Sequence, residues 1–319
     1  MDKGSLSLIA GVAVGATDMA FFSVVISVLN QVATLTDSLA SLYQQTYRDF
    51  EVIAVDGGST DGSYQLLEQH AGKGRLRLYR QDEGGAQEAR NFGAEQARAA
   101  WLVFFDADSI LLFDHLSRLA DAIGKHADIE LFVNAYQQME GHRRLPRTAS
   151  LPSGVTTRRE ALAAIAQHDF IHTGATCIRR GRFLALGGFP LGGLRDDGDI
   201  YFWLKVLCEL AAIHYDNTVT CLWLSDDRNG NRDAGEPAPP RSDAEWLAQC
   251  SARLSWREAR YLRATINRKV LARAARKKRL GLSVKAELAA ISLSGLGLSH
   301  CARVAVLMLP QSCYERYRK

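Results

Sequence analysis

Two aspartates separated by one residue follow a short apolar run in the first half of the chain. Residues 101–109 read Trp-Leu-Val-Phe-Phe-Asp-Ala-Asp-Ser, and the apolar part has the composition of a buried strand. Side chains two positions apart on an extended backbone point the same way, so Asp106 and Asp108 bring two carboxylates together. Such oxygen ligands suit Mg²⁺ or Mn²⁺ beside a phosphorylated substrate. An acidic pair after a strand also caps helices or lies in solvated turns, so the pair alone decides nothing.

A third carboxylate is predicted at the end of another strand. The apolar segment 50–55 runs into Asp56-Gly-Gly-Ser-Thr-Asp-Gly-Ser63, in which the adjacent glycines permit conformations closed to other residues. Ser59 and the two residues after it can cap a helix that starts near Ser63. Open α/β sheets bind ligands at turns of this kind. Asp56 is therefore placed to accept a hydrogen bond from a base or ribose, although a plain capped turn would look similar.

Two further segments carry charged residues next to predicted helices. Asp82-Glu-Gly-Gly leads into a helix that continues to about Ala99, and Arg90 in this helix either is solvated or meets a phosphate. Arg195-Asp-Asp-Gly-Asp199 precedes an apolar helix, where acidic residues also act as caps and favour the helix dipole.

These residues are positioned by alternating strands and helices. Strands are predicted at 22–29, 50–55, 76–79 and 102–105, with helices ending near Tyr43 and Ala99 between them. A strand, helix and strand of this length form a right-handed unit with parallel strands, so the sequence predicts an α/β fold. The Gly-x-Gly-x-x-Gly fingerprint of dinucleotide-binding enzymes is missing, because Asn30-Gln-Val32 follows the first strand.

Taken in order, these motifs resemble one enzyme family. Val-Ile-Ser-Val-Leu-Asn30, the long segment from Ser41 to Ser63, Ala-Arg-Asn-Phe-Gly93 and Phe-Phe-Asp-Ala-Asp108 are similar to the family 2 glycosyltransferases. The resemblance covers residues 22–110 closely. It implies the GT-A fold, with a Rossmann-like, mostly parallel sheet flanked by helices, and an inverting transfer from a nucleotide-sugar donor that uses Mn²⁺ or Mg²⁺.

The resemblance also assigns site residues. The metal is expected at Asp106 and Asp108, and the nucleotide sugar at Ser27, Val28, Asn30, Asp56, Gly58, Ser59, Asp82, Arg90, Asp106 and Ala107.

The catalytic base is expected in the segment from Arg195 to Asp199. The segments 173–180 and 183–189 resemble what precedes this acid pair in the family, and motif matching assigns the base to Asp197. The chain departs from the family pattern with Gly198 where a larger residue is common and with Asp196 in place of Glu, so Asp196 stays an alternative. The Gln-x-x-Arg-Trp motif of processive synthases is absent, which favours addition of a single sugar.

Composition and charge divide the chain into regions. Its 319 residues are 47% hydrophobic, as in ordinary globular proteins, and the six cysteines lack Cys-x-x-Cys spacing, which argues against a zinc site and fits a reducing cytoplasm. Residues 253–319 contain 16 Lys and Arg but 3 Asp and Glu, a net charge of +13; the whole chain carries +4, so residues 1–252 carry −9. We predict an N-terminal extension (1–21), a nucleotide-sugar half (22–110), an acceptor half (111–234), a proline-rich linker (235–240) and a basic helical region (241–319).

The basic helical region predicts contact with a membrane and the kind of acceptor. Its first helix is amphipathic and basic, which suits the cytoplasmic face of an anionic membrane and a lipid-linked or cell-surface glycan acceptor; alternatively it packs on the catalytic domain. Residues 288–310 make a poor spanning helix, and residues 6–16 are too short to span a bilayer, so we expect peripheral attachment. A nucleic-acid partner is disfavoured by the acidic body, whereas a catalytically inactive nucleotide-sugar-binding module remains an alternative function. The arginines at 143, 144 and 147 are expected in a loop with a solvated face.

Overall fold

The computed structural model describes residues 20–81, 85–141, 143–191, 198–225, 250–311 and 313–314. Four features predicted from the sequence lie outside these residues: the apolar segment 6–16, Asp82, the pair Asp196 and Asp197, and the linker 235–240.

The described strands form one sheet of ten. They are β1 (Phe22–Val28), β2 (Phe50–Asp56), β3 (Arg77–Arg80), β4 (Trp101–Asp106), β5 (Ser109–Leu111), β6 (Leu131–Glu140), β7 (Arg143–Arg147), β8 (Gly154–Thr157), β9 (Thr176–Arg179) and β10 (Ala212–Ser225). Their order is β3-β2-β1-β4-β9-β6-β10-β5, with β7 attached to β6 and β8 to β10. The described helices are α1 (Val32–Tyr43), α2 (Ser63–Gly72), α3 (Ala86–Gln96), α4 (His115–Lys125), α5 (Arg158–Gln167), α6 (Arg180–Ala185), α7 (Gly198–Glu209), α8 (Trp256–Arg279), α9 (Lys285–Ala289) and α10 (Leu298–Met308).

The first four strands of the path are parallel, as predicted. Ser27 of β1 lies in register with Val55 of β2 and Asp106 of β4, so the carboxyl ends of these strands meet at one edge. Beyond β4 the sheet is mixed: β9 runs antiparallel to both β4 and β6, and β6 pairs in parallel with β10. The predicted α/β architecture is confirmed, and its parallel part is the half that carries the first sequence motifs.

Burial on both faces of the sheet explains the uninterrupted apolar runs of the central strands. Val25, Ile53 and Phe104 pack in a core on one face, while Val24 and Phe105 pack on the other. Strands covered on both faces need no alternation of polar residues.

The motif Ala-Arg-Asn-Phe-Gly93 fixes helix α3 against the sheet. A Cβ atom at Gly93 would lie 2.4 Å from Val25 Cγ1, so only glycine allows α3 to approach β1 this closely. Asn91 donates to the carbonyl of Phe189 and accepts from its N–H, both at 2.8 Å. Gly188, whose φ is +67°, lies under the same amide, where a Cβ would meet Asn91 Oδ1 at 2.5 Å. The motif therefore joins α3 to a turn almost a hundred residues away.

Helix α8 packs on the α/β domain through its apolar face. Leu262, Ile266 and Val270 are buried in the core that α5 also lines. Of the two possibilities for this amphipathic helix, the structure therefore has the packed one. Two basic residues of α8 reinforce the contact, since Arg268 and Lys269 bind the carboxylate of Asp169 at 2.6 and 2.9 Å.

The charge of Asp169 is stabilised where it lies. Burial would raise the pKa of this carboxyl, but its hydrogen bonds and ion pairs with Arg268 and Lys269 lower the pKa to about 2. A second ion pair, from Lys277 to the fully buried Glu287 at 2.8 Å, ties α9 to α8. No helix within the described ranges is long and apolar enough to cross a membrane.

Substituting alanine for Gly93 tests the close approach of α3 to β1. We expect Gly93→Ala to lower the free energy of unfolding by about 1–3 kcal/mol, because the added methyl group overpacks the contact with Val25. Gly124→Ala in α4 is the matched control, since nothing lies within 4 Å of its Cβ position. This control should be neutral or stabilising by up to about 1 kcal/mol. Denaturant unfolding measures both, and equal effects of the two substitutions would contradict the packing argument.

Candidate active site

Asp56 presents one unused carboxylate oxygen at the end of β2. The side chain is fully buried, and its Oδ2 accepts the backbone N–H groups of Gly58 and Ser59, both at 3.0 Å. Its Oδ1 is buried and has no hydrogen-bond partner among the described residues. Because a buried, unpaired acceptor is costly, this oxygen is suited to a donor group supplied by a ligand. The guanidinium of Arg80 lies nearby, with its Nε 4.0 Å from Asp56 Oδ2.

Two predicted nucleotide-binding residues, Asn30 and Ser59, join the loops that follow β1 and β2. The backbone N–H of Asn30 donates to Ser59 Oγ at 3.0 Å, and the N–H of Thr60 donates to Asn30 Oδ1 at 2.8 Å. Asn30 has a φ of +52°, a conformation that asparagine tolerates better than most residues. Val28 contributes its carbonyl oxygen, which accepts the N–H of Gly57 at 2.9 Å. These contacts shape the loops around Asp56.

Asp106 is bound by an arginine that the sequence placed either in solvent or on a phosphate. Arg90 Nη2 lies 2.5 Å from Asp106 Oδ1, and both side chains are almost completely buried. Burial would lower the pKa of Arg90, but the nearby carboxylates of Asp106, Asp199 and Asp108 outweigh it and raise that pKa. Arg90 therefore stays charged and offsets the negative charge gathered at this edge of the sheet.

The sequence did not reveal a histidine in the same cluster. His172 Nε2 lies 3.9 Å from Asp106 Oδ2, and its Nδ1 accepts the backbone N–H of Gly174 at 3.1 Å. The neutral ring therefore carries its proton on Nε2, facing Asp106. Burial lowers the pKa of His172 against the pull of the neighbouring carboxylates. A single histidine before Thr173 has no sequence signal, because its closeness to Asp106 depends on how β9 pairs with β4.

Asp108 lies beside an aromatic surface. Trp223 of β10 is in register with Ser109, and its Nε1 lies 3.4 Å from Asp108 Oδ2. Tyr136, His172 and Trp223 form what we name the ring floor, with centroid distances of 4.8 Å between the first two rings and 5.3 Å between the last two.

Asp199 joins the cluster from the start of α7. Its Oδ2 accepts the hydroxyl of Thr173 at 3.2 Å, and that hydroxyl also accepts Trp203 Nε1 at 3.1 Å. The expected bases Asp196 and Asp197, which precede α7 in sequence, lie outside the described residues, as does Asp82. Ser27 and Ala107 are buried beside Asp106, and the carbonyl of Ala107 accepts Ser38 Oγ at 2.9 Å.

The donor set suits a cation that shares its coordination with a substrate. Within the described parts of the chain, no group of three or more His, Cys, Asp or Glu side chains could hold a metal ion. Asp106 and Asp108 supply carboxylates, and Asp106 is already engaged by Arg90. Mg²⁺ is commonly held by one or two carboxylates together with phosphate oxygens and water. The chemistry of these two carboxylates therefore fits a cation whose coordination is completed by a phosphorylated ligand.

Comparison with known proteins identifies the family. The family model described as glycosyl transferase family 2 matches residues 23–182, half of the chain. The chain belongs to this family. A PGL/p-HBAD biosynthesis glycosyltransferase of Mycobacterium tuberculosis is 39% identical over 113 residues, which cover 34% of this chain and 44% of the relative. Glycosyltransferase GlyG of Streptococcus pneumoniae is 31% identical over 110 residues, 34% of this chain and 36% of the relative. The chain thus matches less than half the length of these curated relatives.

Solved structures support the fold over a longer range. The crystal structure of S. aureus TarS 1-349 in complex with UDP-GlcNAc superposes with a TM-score of 0.70 at 18% identity, covering 93% of this chain and 91% of that chain. A second TarS structure covers 77% of this chain and 43% of its own, with a TM-score of 0.61 at 20% identity. The predicted family 2 membership and GT-A fold are therefore confirmed.

A double-mutant cycle measures the coupling free energy between Arg90 and Asp106. We expect Arg90→Met and Asp106→Asn each to cost about 2–4 kcal/mol of unfolding free energy, because each leaves a poorly solvated partner behind. The double variant should cost at least about 1 kcal/mol less than the sum of the two. Denaturant unfolding of the four proteins provides the values. Strictly additive losses would show that the two side chains are not coupled.

Proposed function

We propose that the protein transfers one sugar, with inversion, from a nucleoside diphosphate sugar to a hydroxyl of a lipid-linked or cell-surface glycan precursor. The observation that carries this proposal is the arrangement at one sheet edge: the unpaired Oδ1 of Asp56 lies at the end of β2, Asp106 ends the neighbouring strand β4 and Asp108 follows it. One ligand that spans this edge would carry a hydrogen-bond donor at one end and phosphates at the other.

The nucleotide is proposed to lie across the ends of β1, β2 and β4. Asp56 Oδ1 would accept a hydrogen bond from the base. The backbone N–H groups that bind Oδ2 hold the carboxylate in place, and an N–H of a pyrimidine such as uracil is a suitable donor to Oδ1. The complex of TarS with UDP-GlcNAc, a protein of the same fold, supports the choice of a uridine donor. Asp106 would contact the ribose and Asp108 the cation near the diphosphate.

The chain's own charges prepare the site for the departing diphosphate. Mn²⁺ or Mg²⁺, when bound, would neutralise the charge that develops on this leaving group. Arg90 orients Asp106 through their ion pair and keeps a positive charge near the carboxylates before any ligand binds. Asp108 is oriented by Trp223 and so presents its carboxylate from a defined direction.

Removal of the proton from the acceptor hydroxyl is assigned to an aspartate in the segment that precedes α7 in sequence. Asp197, with Asp196 as the alternative, would remove it as the hydroxyl attacks the anomeric carbon from the face opposite the diphosphate. Inversion follows from this single displacement. Asp199, at the second position of α7, is held by Thr173 close to Arg90 and His172, which supports placing the base at this helix start.

The acceptor is proposed to be presented at an anionic membrane surface. The apolar face of α8 is buried, so contact would use its outer face, where Arg257 and Arg260 are exposed. Apolar side chains that are exposed nearby in the sequence would add to the attachment; they are Trp256, Leu280, Leu282, Leu293 and Met308. Basic residues near an anionic membrane surface contribute about 1 kcal/mol each.

Nucleotide binding tests the donor site. We expect UDP with Mn²⁺ to raise the melting temperature by roughly 5 °C at a hundredfold excess over its Kd, because the ligand binds the native state alone. GDP, dTDP and CMP should give smaller shifts. Asp56→Asn should lose most of the UDP shift. The amide oxygen of the asparagine, its single acceptor, would be needed by the N–H groups of Gly58 and Ser59, so its NH₂ group would face the base.

Two further variants complete this measurement. Asp108→Asn should lose the part of the shift that depends on Mn²⁺, whereas Asp37→Asn, an exposed substitution on α1, should behave as wild type. If no nucleotide stabilises the wild-type protein with or without Mn²⁺, the proposed donor site is wrong. Release of UDP from UDP-GlcNAc by the wild-type protein but not by Asp197→Asn would exclude an inactive binding module.

Vesicle binding tests the membrane contact separately. The full chain should sediment with phosphatidylglycerol vesicles at low salt and remain in solution with phosphatidylcholine vesicles, because the attraction is electrostatic. Arg257→Gln combined with Arg260→Gln should weaken binding roughly tenfold or more. Equal sedimentation with both vesicle types, or none with either, would contradict the proposed attachment.

A further inference from the structure

The arginines expected in a solvated loop belong to an edge strand that extends the ring floor. Strand β7 pairs with β6 so that Arg147 lies opposite Tyr136, and β6 pairs with β10 so that Gln138 lies opposite Trp223. Directly paired residues point to the same face of a sheet, and positions two apart share that face. Arg147 is therefore on the face of the ring floor, whereas Arg144 is on the opposite face.

The guanidinium of Arg147 is directed along this face. Its Nε and Nη2 lie 3.2 and 2.8 Å from Gln138 Oε1, which draws the group over β6 and toward the strand of Trp223. Its charge also acts on the hydroxyl of Tyr136. Arg147 is nevertheless solvent-exposed, so the side chain is held in place and remains accessible to a ligand.

The acidic residue in contact with Tyr136 is already paired with other basic residues. Tyr136 donates to the backbone carbonyl of Asp169 at 3.3 Å, but the carboxylate of Asp169 is bound by Arg268 and Lys269. The carboxylates of Asp106, Asp108 and Asp199 lie around His172, the middle ring of the floor, and Asp108 also lies beside Trp223 on the side of β10. Arg147 on β7 and Trp223 on β10, the neighbour of Asp108, thus belong to strands that are two strand spacings, or about 10 Å, apart.

We propose that Arg147 binds an acidic group of the acceptor. The acceptor sugar would lie on the ring floor with its reacting hydroxyl toward the carboxylates, and its phosphate or carboxylate group would reach Arg147. A neutral acceptor would gain no affinity from a positive charge held at this position. An acidic acceptor would be repelled by the carboxylates, and a cation at the β7 side of the floor would offset this repulsion. This inference rests on the proposed transfer reaction and adds the chemical class of the acceptor.

Binding of matched acceptor probes tests the assignment. The probes are a p-nitrophenyl hexoside, its 6-phosphate, the corresponding hexuronide, and the same hexose linked to citronellyl diphosphate. Their affinities are measured by titration calorimetry on the full chain saturated with UDP and Mn²⁺, which fills the donor site. We expect at least one acidic probe to bind about tenfold more tightly than the neutral hexoside, as a charge-assisted hydrogen bond provides. This preference should fall with added salt.

Two variants isolate the arginine. Arg147→Gln should abolish the preference for acidic probes and leave binding of the neutral hexoside unchanged, while Arg144→Gln, on the opposite face of β7, should keep the preference. Equal binding of neutral and acidic probes, equal loss in both variants, or no binding of any probe would overturn the proposal. The phosphate, uronide and diphosphate probes distinguish an acidic glycan from a lipid-carrier diphosphate. Stabilisation by UDP, measured on the same samples, reports separately on the donor site.

Discussion

The charge balance around Asp106 constrains the rest of the site. Asp106, Asp108 and Asp199 bring three carboxylates to one mostly buried region, where like charges repel one another and the repulsion is offset by a nearby cation. Arg90 supplies it through a direct ion pair with Asp106. The position of Arg90 depends in turn on α3, which is set by the contact of Gly93 with β1. Gly93 has no contact with a ligand in our proposal, yet its packing against β1 determines where the charged group of Arg90 lies.

Much of the fold follows from the sequence because its signals are local. The apolar runs of β1, β2 and β4 predict strands that are buried on both faces, and the parallel order follows from the helices between them. The carboxyl ends of these strands then bring Asp56 and Asp106 to one edge. The positions of Asp56 and Asp106 could be predicted for this reason, since each is the last residue of a strand.

The remaining features depend on contacts between distant segments. The pairing of Arg90 with Asp106 requires a particular helix rotation, and His172 and Trp223 reach the site only because β9 and β10 join the same sheet. The hydrogen bonds by which Asn30 and Ser59 join two loops likewise depend on the packing of distant segments, and their predicted contact with the nucleotide stays a prediction. The sequence also gave no sign that residues 143–147 form a strand, because three arginines and a proline are unusual in such an element. In the C-terminal region, basic residues that include Arg253, Arg268, Lys269 and Lys277 form internal ion pairs, so the net charge overstates the basic surface that is left for a partner.

The amide of Asn91 has a consequence for how these enzymes can be recombined. It links α3 of the predicted nucleotide-sugar half to the backbone of Phe189 in the predicted acceptor half. A chimera that exchanges the predicted acceptor half between two members of the family would divide this pair. A chimera joined near residue 110 would inherit the asparagine from one parent and its backbone partner from the other. The turn Gly187-Gly-Phe189 and helix α3 would therefore have to come from the same parent.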